Sequence, residues 1–143
     1  MMKFVPFVKE HLDLKGNTLL ASGYIMEKYG DMYENCASGT LMDDQNVPII
    51  SFGLSILWPG VAEVWTFPRP SIKDHGLAVT RIVKRVLRDS IAGNNLHRVQ
   101  ARCAVGDDIA FNWLQFFGFK LEGKLSKYGP DMKDYYLLAI VRE

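Results

Sequence analysis

A chain of 143 residues, 48% hydrophobic and 23% charged, is long enough to bury one core, and a single domain over 1–143 is expected. Its formal net charge of +1 argues against a general nucleic-acid binder or an acidic tail protein. The two cysteines, Cys36 and Cys103, are far apart, so neither a disulfide framework nor a zinc motif is indicated and a reducing cytoplasm is the simplest home.

The N-terminus does not read as a signal peptide, because Lys9, Glu10 and Asp13 interrupt any apolar run. Lys3 to Val8 alternates weakly, and Pro6 confines it to a sheet edge. His11 to Leu14 and Thr18 to Tyr29 read as two short helical pieces split by Gly16-Asn17. Ala37 to Met42 is a strand, Asp43 to Asn46 a polar turn, and Val47 to Trp58 the returning strand. Val47 to Ala62 is uncharged, but Pro48, Gly53, Pro59 and Gly60 break it, so buried strand is expected and no membrane span. Pro59-Gly60 turns into a third strand, Val61 to Phe67, completing an antiparallel meander.

Pro68-Arg69-Pro70 precedes the longest helix, about Ser71 to Ala92, where Ser71 and Asp74 fit a capping box. Its apolar stripe is Val79, Ile82, Val83, Val86 and Leu87; Arg81, Lys84, Arg85 and Arg88 share the opposite face. Four cations on one face suit solvent, an anionic phosphate or an acidic partner. His97 to Ala104 is the next strand, so strand-helix-strand here implies a right-handed parallel crossover. The fold class is therefore mixed α/β (α+β): a meander joined to a crossover, with helices on both faces.

The last third opens with a helix in which Ala110, Trp113, Leu114 and Phe117 fall on one face, opposite Asp108, Asn112 and Gln115, and burial of Trp113, Leu114 and Phe117 against the sheet is expected. Asp107 and Asp108 suit its N-terminus, and Gly118 stops it. Phe119 to Ser126 is a strand, Tyr128 to Asp131 a turn, and Tyr135 to Val141 the final strand.

Trp113, Leu114, Gly118, Phe119, Glu122, Gly123, Asp134, Tyr135 and Leu137 form an order that resembles the C-terminal half of GNAT-superfamily acetyltransferases. It is most similar to the branch that acetylates protein N-termini. A softer similarity is to GNAT-like proteins of tailed phages. The resemblance implies a GNAT-like acyl-CoA N-acyltransferase fold, acetyl-CoA as cosubstrate, no metal, and an amine acceptor such as a protein N-terminus or lysine. A homodimer or a virion partner, in the host cytoplasm or the virion, goes with these readings. The rival is a GNAT-shaped virion component that has lost acyl transfer.

The resemblance also implies roles for particular residues. Lys73, Gly76 and Ala78 match the phosphate-binding pattern at a helix N-terminus, and the N–H groups of Ile72 and Lys73 would reach the pyrophosphate of coenzyme A. Otherwise Gly76 simply lies in the first helical turns. Trp65, Thr66 and Phe67 would offer backbone N–H groups to the pantetheine arm and the thioester oxygen. Glu63 shares a strand face with Val61, Trp65 and Phe67, which is odd company for a solvated carboxylate. It would act as general base toward the incoming ammonium, or else reach solvent or pair with a Lys or Arg. Many GNATs place a proton-donating Tyr where Leu114 stands; here Tyr128 or Tyr135 would substitute as donor, or else serve packing as aromatic residues in terminal strands usually do. Asp107 replaces a frequent Asn, and Asp107 and Asn112 are the cofactor-side candidates on this helix.

Overall fold

In the computed structural model, residues 2–8 and 37–142 are described; the helical segments read at His11 to Leu14 and Thr18 to Tyr29 lie outside them. Among the described residues seven strands form: β1 (Lys3–Pro6), β2 (Ala37–Met42), β3 (Pro48–Trp58), β4 (Val61–Pro68), β5 (Arg98–Ala104), β6 (Lys120–Leu125) and β7 (Tyr135–Val141). A 3₁₀ turn covers Pro70–Asp74, followed by the α-helices α1 (Gly76–Gly93) and α2 (Asp108–Phe116). Hydrogen-bonded neighbours run in the order β1-β2-β3-β4-β5-β7-β6, a mixed sheet as expected. The chain divides into two compact units.

The first unit holds the described residues up to Ser55 together with Trp65–Arg85. β1 and β2 pair antiparallel from Lys3↔Met42 to Pro6↔Gly39, so the Pro6 strand does lie at the edge. The Phe4 ring lies where a side chain at residue 39 would stand: a Cβ on Gly39 would come 2.1 Å from Phe4 Cζ. The same ring meets Phe52 at 5.5 Å, so one aromatic residue ties three strands. Residues 49–54 of β3 are all buried, on both faces of the strand, which is why this segment lacks polar alternation. Its one hydroxyl there, Ser51, is matched by Thr40 across the register at 2.8 Å, so two buried hydroxyls satisfy each other.

After β4 the structure departs from the sequence reading. The capping box at Ser71 and Asp74 does not form: Arg69 occupies the N-cap of the 3₁₀ turn and its side chain makes no capping bond. Pro68 and Pro70 fix the local backbone, and His75 (φ −128°) breaks the helical run, so the α-helix begins at Gly76. Val79 and Val83 of α1 are buried, whereas Arg81, Lys84 and Arg85 are exposed.

The second unit holds Ile56–Val64 and the chain from Val86 onward. Gly60 (φ +87°) makes the turn into β4, and a Cβ there would strike the His97 imidazole at 2.3 Å. The Gly60 carbonyl accepts the N–H groups of both His97 and Arg98, which pins the start of β5 beside the start of β4. The two strands run parallel from Val61↔Arg98 to Val64↔Ala101, as expected. α1 ends with Asn95 in the left-handed region (φ +50°), Leu96 N–H donating to Ile91 O. The Arg142 guanidinium donates to the carbonyls of Ile91 and Leu96, so the C-terminus closes the same corner.

β7 inserts between β5 and β6, antiparallel to each. Asp107 caps α2, its side chain accepting Ala110 N–H at 3.1 Å, and Gly118 (φ +102°) stops it. The burial expected for this helix is not met. Trp113, Leu114 and Phe117 are only half-buried, and Phe116 stays 59% exposed. The buried anchor is the next residue, Phe119, 2% exposed. Phe119→Ala should therefore cost about 3–5 kcal/mol, and Phe117→Ala clearly less, in paired denaturant titrations. Equal losses at the two positions would contradict this assignment of the helix face.

Candidate active site

Parallel register sets the central group. Glu63 of β4 lies opposite Gln100 of β5, and alternation along β5 puts Arg98, Gln100 and Arg102 on one face while Val99, Ala101 and Cys103 are buried on the other. Gln100 Nε2 donates to Glu63 Oε1 at 2.9 Å, and Arg102 pairs with Glu63 Oε2. The Glu63 side chain is 15% exposed and that of Arg102 33%. Burial pushes the Glu63 carboxyl above the ordinary carboxylate range, opposed by the Gln100 hydrogen bond. The Arg102 charge acts in the same opposing sense.

The row continues outward. Arg98 Nε donates to Gln100 Oε1 at 3.2 Å, and its two terminal nitrogens bind Glu122 at 2.9 and 2.6 Å. That bidentate contact holds the Glu122 carboxyl below its ordinary range and raises the Arg98 guanidinium.

On the other side, the Arg102 guanidinium lies 4.8 Å from the centre of the Tyr128 ring. Tyr128 meets Tyr135 edge-on at 5.5 Å. The loop carrying Tyr128 is tightly built: Lys127 N–H donates to Asp134 Oδ1 at 2.9 Å, and Gly129 N–H to Lys133 O at 3.0 Å. The Lys127 hydrogen bond holds the Asp134 carboxyl low, and burial pushes the Tyr135 phenol up. The two candidate catalytic residues, Glu63 and Tyr128, are thus bridged by Arg102, which the sequence reading did not single out. The signal was the alternation of Arg98, Gln100 and Arg102 in a strand whose other face is apolar.

Asp107 and Asn112 lie in this second unit as well. Asp107 spends its carboxylate on the cap of α2, and Asn112 is exposed on that helix. Cys103 is buried, its thiol pushed up to about 11, chiefly by burial, so it is a poor nucleophile.

The remaining candidates belong to the first unit. The Trp65 and Phe67 rings meet tilted at 5.5 Å, and Phe7 meets Trp65 at 5.1 Å, so these side chains serve packing. Thr66 is half-buried between them in sequence. Ile72 N–H is already used: it donates to Arg69 O at 2.9 Å. The N–H groups that the helix itself leaves over are those of Gly76, Leu77 and Ala78, at the start of α1. A Cβ on Gly76 would meet nothing within 4 Å, no acidic residue lies in that first turn, and Lys73 is exposed just before it. A hollow of about 470 Å³ near His75 is lined by Asp43 and Asp44, which makes it unsuited to a phosphate. Among the described residues, no three His, Cys, Asp or Glu side chains gather to hold a metal ion, and no helix is long and apolar enough to cross a membrane.

The titration signs follow from these contacts. Glu122 and Asp134, held low, contribute stability that is complete at neutral pH and is lost as pH falls through and below the ordinary carboxylate range. Glu63, held high, contributes in the opposite sense, its stabilising share fading as pH rises through its folded titration. Melting temperatures of Glu122→Gln should therefore fall less steeply on acidification than those of the wild type. Relative to wild type, Glu63→Gln should gain as pH rises from about 4 to about 7. A Glu63→Gln difference that is flat with pH would contradict the burial assigned to this carboxyl.

No family model and no curated protein matches the chain. Solved structures do. A GNAT-family acetyltransferase from Bacillus anthracis superposes with a TM-score of 0.72 at 14% identity, covering 98% of this chain and 94% of that one. A chimera of the Vibrio cholerae spermidine N-acetyltransferase SpeG with hSSAT gives 0.70 at 21% identity, covering 98% and 95%. Mutant forms of SpeG give 0.68 at 19%, covering 99% and 95%. At such identities the likeness is one of backbone, and the chain has the fold of the GNAT acetyltransferases.

Proposed function

We propose that this protein is an acetyl-CoA-dependent N-acetyltransferase acting on a primary amine. The observation that carries the reading is the parallel β4–β5 ladder feeding α1, in a backbone shared with acetyltransferases over nearly the whole chain. The start of α1 fits an anionic cofactor: three first-turn N–H groups, open space over Gly76, no acid in that turn and an exposed Lys73. Gly76, Leu77 and Ala78 would hold the pyrophosphate, with Lys73 nearby. The backbone of Trp65, Thr66 and Phe67 would orient the acyl arm. Acetyl-CoA supplies an activated thioester carbonyl for attack by nitrogen. Glu63 serves as the base, since an alkylammonium must lose a proton before its nitrogen attacks. Tyr128, carried on its braced loop, is the proton donor to the departing sulfur.

The acceptor is a small amine, as with the spermidine acetyltransferase SpeG, or a protein N-terminus or lysine. A second reading has one specific observation in its favour. Both Glu63 oxygens already accept donors, from Gln100 and Arg102, which suits a GNAT-shaped protein, such as a virion component, that keeps the scaffold for protein contacts.

Calorimetric titration separates the two readings: acetyl-CoA and CoA should both bind, and Gly76→Val should weaken both by crowding the phosphates. Unchanged affinity in Gly76→Val would place the cofactor elsewhere. Glu63→Gln should lose about 10²–10⁴-fold in transfer rate with acetyl-CoA affinity nearly unchanged, and should recover as pH rises. Wild-type protein that binds acetyl-CoA yet transfers to no amine would favour the second reading.

A further inference from the structure

Arg102 is itself a cation resting on a carboxylate and an aromatic face. Its guanidinium pairs with Glu63 and lies 4.8 Å from the Tyr128 ring centre. Those two groups, an anion and a π-face, are what a protein uses to hold an ammonium. Glu63 is the deeper partner, 15% exposed and fixed from the other side by Gln100, whereas Arg102 is 33% exposed and its long stem can swing into water. The Tyr128 face does not depend on Arg102 for its position, because the loop is held by Asp134, by the Gly129–Lys133 bond and by Tyr135 against Gly129.

We propose that the Glu63–Tyr128 pair is the binding subsite for the acceptor's ammonium, and that Arg102 occupies it as an internal plug displaced when a cationic amine enters. The inference rests on the acetyltransferase reading for the word acceptor, but not for the binding event. It resolves the objection that the Glu63 oxygens are occupied. The entering ammonium inherits the two partners that Arg102 leaves, so the Glu63 charge is not left alone by the exchange. Entry also brings the amine proton to the carboxylate that is to remove it. The apparent affinity for amines is lowered by the fraction of molecules in which Arg102 is seated.

The test measures butylammonium binding by NMR titration, with n-butanol as the neutral control. Arg102→Met empties the subsite and should tighten butylammonium about tenfold or more, with no change for n-butanol. Arg102→Lys keeps a cation in place and should stay within about twofold of the wild type. Arg102→Met combined with Glu63→Gln should lose the gain. Equal affinity in Arg102→Met and wild type, or a gain that survives removal of the Glu63 charge, would overturn the proposal. If Arg102→Met does not fold, the wild-type Arg102 Nε–H resonance is the readout. It should move toward its solvent position as butylammonium saturates, and a resonance that stays put at saturation overturns the plug. Tighter amine binding without acyl transfer would keep this inference and sink the enzyme reading. Transfer with an unchanged amine affinity in Arg102→Met would do the reverse.

Discussion

Two strands that run in the same direction cannot be joined by a tight turn, and the β4–β5 pair imposes that constraint on the whole middle of the chain. The connection from Pro68 to Arg98 must travel back the length of a strand, and α1 is the element that does so. Where β4 ends and the helix begins, first-turn N–H groups are left without intrahelical partners. At the other end of the ladder, the Gly60 carbonyl takes two donors from the start of β5, and His97 covers the glycine. That junction fixes which residue of β5 stands opposite Glu63. A slip of one position would bury Arg98, Gln100 and Arg102 and expose Val99, Ala101 and Cys103.

The register thereby determines the electrostatics. A carboxylate in the β4 face would be costly if left alone, and Gln100 and Arg102 satisfy it. The same strand extends the row to Glu122 through Arg98. Tyr128 reaches this row because its loop is braced by Asp134, whose low-lying carboxyl holds the Lys127 N–H. The chemistry proposed for the site and its stability draw on the same contacts, so substitutions there need a pH profile to separate the two roles.

Most elements were legible because the chain marks its turns plainly: Asp43 to Asn46, Pro59-Gly60 and Gly118 each end an element where the structure ends one. The α-helix starts at Gly76, five residues past the expected Ser71, because Pro68 and Pro70 first hold the backbone in a 3₁₀ turn. The insertion of β7 between β5 and β6 leaves no local trace, since strand order is decided by tertiary pairing. Periodicity found the apolar face of α2 but overstated its burial, the deep contact being made by Phe119 after the helix has stopped. The Arg102 contacts were out of reach of residue-by-residue reading, because they depend on the register of two strands separated by the whole crossover.

The central claim is that this backbone still moves an acetyl group to nitrogen. It is tested most directly by incubating the protein with acetyl-CoA carrying a labelled acetyl group and a panel of amines that includes spermidine, lysine-containing peptides and peptides with free N-termini, and following label by mass spectrometry. The expected result is label on the nitrogen of one amine class, dependent on Glu63. Label remaining on CoA across the panel, under conditions where acetyl-CoA is bound, would contradict it.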